Sequence, residues 1–274
     1  MHGIGNDYIY IDCFSQTVEN PFEFARKMSD RHFGIGGDGI VLILPSEVAD
    51  CKMDMYNADG SQGKMCGNAI RCVGKYMYDI RKISRTEINV ETLSGIKNLK
   101  LHINNKKAEK ITVNMGKPIL KPSKIPVDIS DNYPVVLRKT KTGEKIYEMS
   151  FVSMGNPHAV IFLDDINDFD LETLGRSMES NPLFPEGINT EIVKIIDSEN
   201  IEMRVWERGS NETLACGTGA CASVVAGVLA GKINRDVVVK LIGGTLDVSW
   251  DESSNQVFMT GPAEFVFKGI LPVE

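Results

Sequence analysis

Met65-Cys66-Gly67-Asn68-Ala69-Ile70 and Ala215-Cys216-Gly217-Thr218-Gly219-Ala220 decide the fold, because they stand at a constant offset that other motifs share. Gly5-Asn6 matches Gly155-Asn156 and Cys66-Gly67 matches Cys216-Gly217, both at an offset of 150 (155 − 5 and 216 − 66). Gly60-Ser61 before Cys66 has its counterpart in Gly209-Ser210 before Cys216. The turn at Gly36 to Gly39, which leads into Ile40-Val41-Leu42, matches the turn at Gly187 to Asn189 ahead of Ile192-Val193. Three such matches in order indicate two similar halves. Between them runs Lys117 to Pro134, with prolines at 118, 122, 126 and 134, the composition of an extended connector. The domain boundary is therefore expected there: residues 1–116 form one half and 117–262 the other.

Each half carries short runs with strand composition and one dominant helix that begins at its cysteine. The strand runs are Tyr8 to Ile11, Ile40 to Leu44 and Ile88 to Thr92, then Ala159 to Leu163, Glu191 to Ile195, Ile201 to Trp206 and Val237 to Leu241. After Gly67, Cys72, Val73, Tyr76, Met77 and Ile80 keep a 3,4 spacing. After Gly217 come Cys221, Val224, Val225, Val228 and Leu229, interleaved with Ala220, Ala222, Ala226 and Ala230, before Gly231 ends the helix. A helix small and apolar nearly all round is a buried one. The expected fold is α/β (α+β): two pseudo-symmetric halves, each a β-sheet or barrel wrapped round a central helix.

Composition narrows the function. With 42% hydrophobic and 24% charged residues in 274, the chain has the make-up of a globular protein large enough for two domains. A net charge of −7 argues against nucleic acid as a partner, and the densest basic stretch, Lys106-Lys107 with Lys110, reads as a solvated turn. No apolar run approaches the roughly 20 residues of a membrane helix, so a cytoplasmic location and no membrane partner are expected. Six cysteines without Cys-x-x-Cys spacing and only four histidines point to reduced thiols and to no metal site. Gly34-Ile35-Gly36-Gly37-Asp38-Gly39 fits a dinucleotide pattern formally. It follows a helix-like segment, Phe22 to His32 headed by Pro21, and precedes a strand, the reverse of the order that pattern requires.

A cysteine at a helix start meets unpaired backbone N–H groups and the positive end of the macrodipole, and both favour thiolate over thiol. Cys66 and Cys216 are therefore expected to be usable bases near neutral pH. The small residues that follow let an anion such as a carboxylate reach the free amides. A single buried cysteine at such a place is more often a packing residue. Two in equivalent places suit inversion at carbon, where a base takes a proton from one face and an acid delivers one to the other. Cys13, Cys51, Cys72 and Cys221 lack that setting and are assigned to packing.

Met1-His2-Gly3-Ile4-Gly5-Asn6-Asp7, Asn57-Ala58-Asp59-Gly60-Ser61, Gly155-Asn156-Pro157-His158, Glu207-Arg208-Gly209 and the two cysteine turns together resemble the diaminopimelate epimerases. The likeness extends to Thr260-Gly261-Pro262-Ala263. It implies that residues 263–274 return to complete the first half and that the active site lies in the cleft between the halves. It implies cofactor-independent epimerisation of LL- to meso-diaminopimelate, in lysine and cell-wall precursor biosynthesis, by a homodimer acting on a small amino acid. By the same resemblance Cys66 and Cys216 are the acid–base pair, and Gly67, Asn68, Gly217 and Thr218 hold the carboxylate beside the reacting carbon. Asn6, Asn57, Asn156, Asn189, Glu207 and Arg208 bind the rest of the substrate, and His158 and Glu207 tune the thiols. A distal amino-acid end carries one cation and one anion, which Glu207 and Arg208 could pair in turn. Gly39 stands where some members have a glutamine that contacts substrate. The rival readings are a two-thiol racemase of proline, hydroxyproline or histidine, and a non-catalytic amino-acid binding protein.

Overall fold

The computed structural model describes residues 1–130 and 133–271; residues 131 and 132 of the proline-rich connector and residues 272–274 of the expected C-terminal return lie outside the described residues. The chain divides into two compact units, one made of Met1–Val113 together with the chain from Gly261 on, the other of Asn114–Thr260.

In the first unit the elements follow as β1 (His2–Gly3), β2 (Asn6–Asp7), β3 (Ile9–Asp12), α1 (Pro21–Ser29), β4 (Gly39–Leu44), β5 (Cys51–Asn57), β6 (Gln62–Gly63), α2 (Gly67–Asp79), β7 (Glu87–Thr92), β8 (Gly95–Asn104) and β9 (Lys107–Gly116). In the second they are β10 (Arg138–Thr142), β11 (Lys145–Ser153), β12 (Pro157–Phe162), α3 (Leu171–Glu179), β13 (Asn189–Ile195), β14 (Asn200–Glu207), β15 (Asn211–Thr213), α4 (Gly217–Leu229), β16 (Asp236–Leu241), β17 (Gly244–Trp250) and β18 (Val257–Pro262).

The two units repeat one topology down to the register. Strand β3 pairs parallel to β4 with Ile9 opposite Ile40, and β12 pairs parallel to β13 with Ala159 opposite Thr190. Ile40 then faces Tyr56 as Thr190 faces Trp206, and Tyr56 faces Gln62 as Trp206 faces Glu212. Every one of these residues has its counterpart 150 positions on. Because side chains alternate across a strand, identical register means that equivalent residues share a face.

That alternation explains which side chains meet which helix. In the second unit Ala159, Ile161, Ile192 and Trp206 join Leu171, Leu174 and Met178 of α3 in one apolar cluster, with Phe151 and Phe184 edge to face at 5.5 Å. The intervening positions, His158, Glu191 and Glu207, point to the opposite face, where α4 packs on β11, β12, β13 and β17. In the first unit Ile9, Ile11, Ile40, Leu42 and Tyr56 pack with Ala25, Phe24 and Met28 of α1. Tyr10 and Asp12, one residue out of step, reach α2 instead: Tyr10 donates to the Ala69 carbonyl and Asp12 accepts from Tyr76. The central helices α2 and α4 are buried along most of their length, as the small residues of the second required.

Two elements differ from the expectation. Helix α1 stops at Ser29 rather than His32, because the Asp30 carboxylate accepts from the backbone of His32 and Phe33 and turns the chain out of the helix. The solvated basic turn shrinks to Asn105 and Lys106, both with positive φ, while Lys107 and Lys110 lie in β9. At Gly39 (φ +155°) an added Cβ would stand 2.0 Å from the Tyr56 carbonyl, so a side chain here, glutamine included, would force the backbone to shift.

Candidate active site

Cys66 caps α2 in extended conformation (φ −128°, ψ 123°), and Cys216 caps α4 with nearly the same backbone (φ −123°, ψ 109°). In each case the cysteine carbonyl accepts the first helical hydrogen bond, from Ile70 and from Ala220, both at 3.0 Å. Each thiol thus starts a helix, as the sequence indicates. Their surroundings differ.

Cys66 is half-buried, and its thiol donates to Asn6 Oδ1 at 3.4 Å. Asn6 Nδ2 in turn donates to Asp38 Oδ2 at 2.7 Å, and Arg31 spans Asp7 and Asp38. The amide of Asn6 is therefore oriented from behind, with its oxygen toward the thiol. Asp38, in the glycine-rich turn, is a site residue that sequence reading missed. Gly34 and Gly36 of that turn are taken up in closing α1, with their N–H groups on the Asp30 and Met28 carbonyls. Asn57 accepts from the Tyr8 hydroxyl at 3.4 Å and donates to Ser61. Asn68 is buried with Oδ1 held by Arg71, which also donates to the Gly67 and Pro262 carbonyls and pins the start of α2.

Cys216 is buried. Its sulfur accepts from Gly219 N at 3.4 Å and lies 3.4 Å from the Thr218 hydroxyl, and the Glu207 carboxyl is near enough to act on it electrostatically. Thr213 donates to the same Glu207 carboxylate. His158, on the same face, is fully buried with Nδ1 2.7 Å from Glu191 Oε1 and Nε2 3.0 Å from Asn156 Oδ1. Glu191 is the second residue that sequence reading missed, hidden in a strand whose other residues read as core.

Here the helix-start expectation fails. The Gly219 amide and the Thr218 hydroxyl do favour the thiolate, but burial, then the charges of Glu207 and Glu191, push the Cys216 thiol well above its ordinary range. Burial also raises the Glu207 carboxyl, against the help of Thr213, Cys216 and His158. Cys216 therefore holds its proton at neutral pH. Cys13, Cys51 and Cys72 are buried and likewise raised by burial, Cys51 to about 12.

Glu207 and Arg208 part company. Adjacent on the chain, they point in opposite directions, Glu207 to the thiol and Arg208 to solvent, where its guanidinium meets the Glu186 carbonyl. The Arg208 N–H donates to Asn189 Oδ1 at 3.0 Å, which places buried Asn189 against the end of β14. Among the described residues no group of three or more His, Cys, Asp or Glu is arranged to hold a metal ion.

A probable proline racemase from Agrobacterium radiobacter, crystallised with carbonate, superposes with a TM-score of 0.67 at 15% identity, over 95% of this chain and 88% of that one. The chain thus has the fold of that structure. A family model described as diaminopimelate epimerase matches residues 1–121 and 150–266. A diaminopimelate epimerase of Acetivibrio thermocellus is 56% identical over 269 residues, 98% of this chain and 96% of the relative. One from Methanococcus maripaludis is 52% identical over 273 residues, 100% and 98% of the two chains. This chain belongs to the diaminopimelate epimerase family and is an isomerase.

Proposed function

We propose that the chain interconverts LL- and meso-diaminopimelate by direct proton transfer, in the route to lysine and cell-wall precursors. The observation that supports it most is the repetition of one helix-start cysteine, with matched backbone and register, in both units. Each turn offers a thiol beside the first amides of a helix, a place that favours an anion. In one direction Cys66, as thiolate, takes the α-proton: the C–H bond breaks and an S–H bond forms. Cys216 delivers its own proton to the other face, breaking S–H and forming C–H, and the reverse reaction exchanges the roles. The transient charge on the α-carbon spreads into the substrate carboxylate, which accepts from the amides of Gly67, Asn68, Gly217 and Thr218. Asn6, Asn57, Asn156, Asn189 and Arg208 bind the remainder of the substrate. Glu207 and His158 set the protonation of the thiols.

The reading requires no cofactor, since the thiols and amides supply acid, base and charge stabilisation. Among the described residues no helix is long and apolar enough to cross a membrane; a cytoplasmic homodimer is the form we propose, and sedimentation at assay concentration tests the dimer. The proline racemase shares only the fold, whereas relatives above 50% identity share the diaminopimelate name. The decisive assay offers LL-diaminopimelate, L-proline, trans-4-hydroxy-L-proline and L-histidine separately in deuterated buffer without added cofactor. Deuterium at the α-carbon of diaminopimelate alone is expected. Exchange into one of the cyclic or imidazole substrates instead would transfer the enzyme to that rival class, and exchange into none would make it a binding protein.

A further inference from the structure

Glu191 is a charge in the middle of a strand, and nothing in its immediate sequence prepares for it. The side chain is fully buried; Oε1 meets His158 Nδ1 at 2.7 Å, and Oε2 has no hydrogen-bond partner. A carboxylate in such a place is costly, and a strand core would discard it for an apolar residue unless it had work to do. The register shows what is special about the position: its counterpart in the first unit, opposite Met55 as Glu191 is opposite Val205, is Val41. The charge was placed beside one cysteine only.

Its neighbours identify the work. A Cβ at Gly219 would lie 2.7 Å from Glu191 Oε1 and 3.3 Å from Cys216 Sγ, so carboxylate and thiol together fill the space of a side chain at 219. Gly219 is thus required by Glu191 as much as by any ligand. The carboxylate lies against the first turn of α4, whose positive end it opposes. On its other side Oε1 lies 2.7 Å from His158 Nδ1, while His158 Nε2 lies 3.0 Å from Asn156 Oδ1, so the ring is held at both nitrogens.

We propose, building on the two-thiol reading, that Glu191 is a positioning residue of the epimerisation: it locks His158 by Nδ1 and sets its negative charge against the start of α4 beside Cys216. The titratable groups facing this thiol are Glu207 from β14 and Glu191 from β13, with His158 from β12 against Glu191. Glu191 then offsets the helix end that would otherwise draw the proton off Cys216, and keeps that thiol able to act as the acid.

The test is alkylation of Cys216 by iodoacetamide as a function of pH, followed by peptide mapping, alongside kcat and KM for LL-diaminopimelate. In Glu191→Gln the midpoint for Cys216 is expected to fall by about one pH unit, the effect of losing one nearby like charge. With it, kcat falls about 10-fold while KM changes little. Glu191→Asp keeps the charge but draws it away from His158: its midpoint stays near the wild-type value while kcat is lowered. A wild-type midpoint in Glu191→Gln overturns the proposal, as does full kcat in Glu191→Asp; the second variant decides alone if the first does not fold. Alkylation involves no substrate, so it judges Glu191 even if wild-type enzyme fails to exchange the α-proton of diaminopimelate, the result that sinks the functional reading instead.

Discussion

The two cysteine turns share a backbone and differ in electrostatics. At pseudo-equivalent positions the first unit has Tyr8, Val41 and Asn57, and the second has His158, Glu191 and Glu207. Those three positions carry no carboxylate or imidazole in the first unit and two carboxylates and an imidazole in the second. Duplication gave the molecule two thiols at two helix ends. At three strand positions facing the central helices the units differ, and one thiol is buried and raised in pKa while the other is half-buried, on an asparagine oxygen. A reaction that needs an acid and a base at the same moment needs that asymmetry.

The comparison breaks most sharply if either thiol is removed. Cys66→Ala and Cys216→Ala are each expected to lower the initial rate of LL-diaminopimelate epimerisation by at least about 10³-fold, because neither remaining thiol can serve both faces. Comparable losses in the two variants would show that unlike surroundings still yield equal partners.

Glu207→Gln sharpens the contrast by making the second turn more like the first, where Asn57 occupies that position. A loss of about 10- to 100-fold in kcat is expected, since the negative charge beside Cys216 is removed. The sign of the pH effect is fixed. A negative neighbour raises the Cys216 pKa, so neutralising it lets Cys216 deprotonate, and alkylate, at lower pH than in the wild type. An unchanged Cys216 alkylation profile would mean that burial and Glu191 hold its proton without Glu207.

The smallest effect concerns stability. Gly39 and Asn189 are counterparts, and a Cβ at Gly39 would meet the Tyr56 carbonyl. Gly39→Asn, which puts the second unit's residue into the first, should cost about 1–3 kcal/mol in denaturant unfolding from overpacking and a strained φ. Asn189→Gly, the reciprocal change, removes one acceptor from the Arg208 N–H and should cost about 1 kcal/mol.

Much of this could be read from the chain. The two helix starts, the strands flanking them and the 150-residue repeat follow from local signals: glycine after cysteine, 3,4 spacing, short β-branched runs. The β8–β9 hairpin escaped because its outward lysines mask an alternation in which Leu99, Leu101, Ile111 and Val113 face in. Helix α3 escaped although Asp170 caps it by accepting from Thr173 N, since Leu171-Glu172-Thr173-Leu174 is too short a pattern to stand out. Asp38 sits in a glycine run whose local pattern gives no sign of the Asn6 amide that it holds. The sign of the Cys216 shift was wrong for a general reason. A helix end is a local feature that sequence displays, whereas burial and the charges of Glu191 and Glu207 arrive from strands whose register and facing only the folded chain fixes.

One measurement addresses the paired thiols most directly: the α-hydrogen content of product formed in deuterated buffer at conversions below about a tenth. With two thiols on opposite faces, the proton removed goes to one sulfur and the hydrogen delivered comes from the other, already equilibrated with solvent. Product carrying deuterium at the inverted carbon in every molecule, beside unreacted substrate still carrying hydrogen, is the expected result. Product that retains the substrate's own α-hydrogen would show a single group working both faces, and would contradict the paired assignment of Cys66 and Cys216.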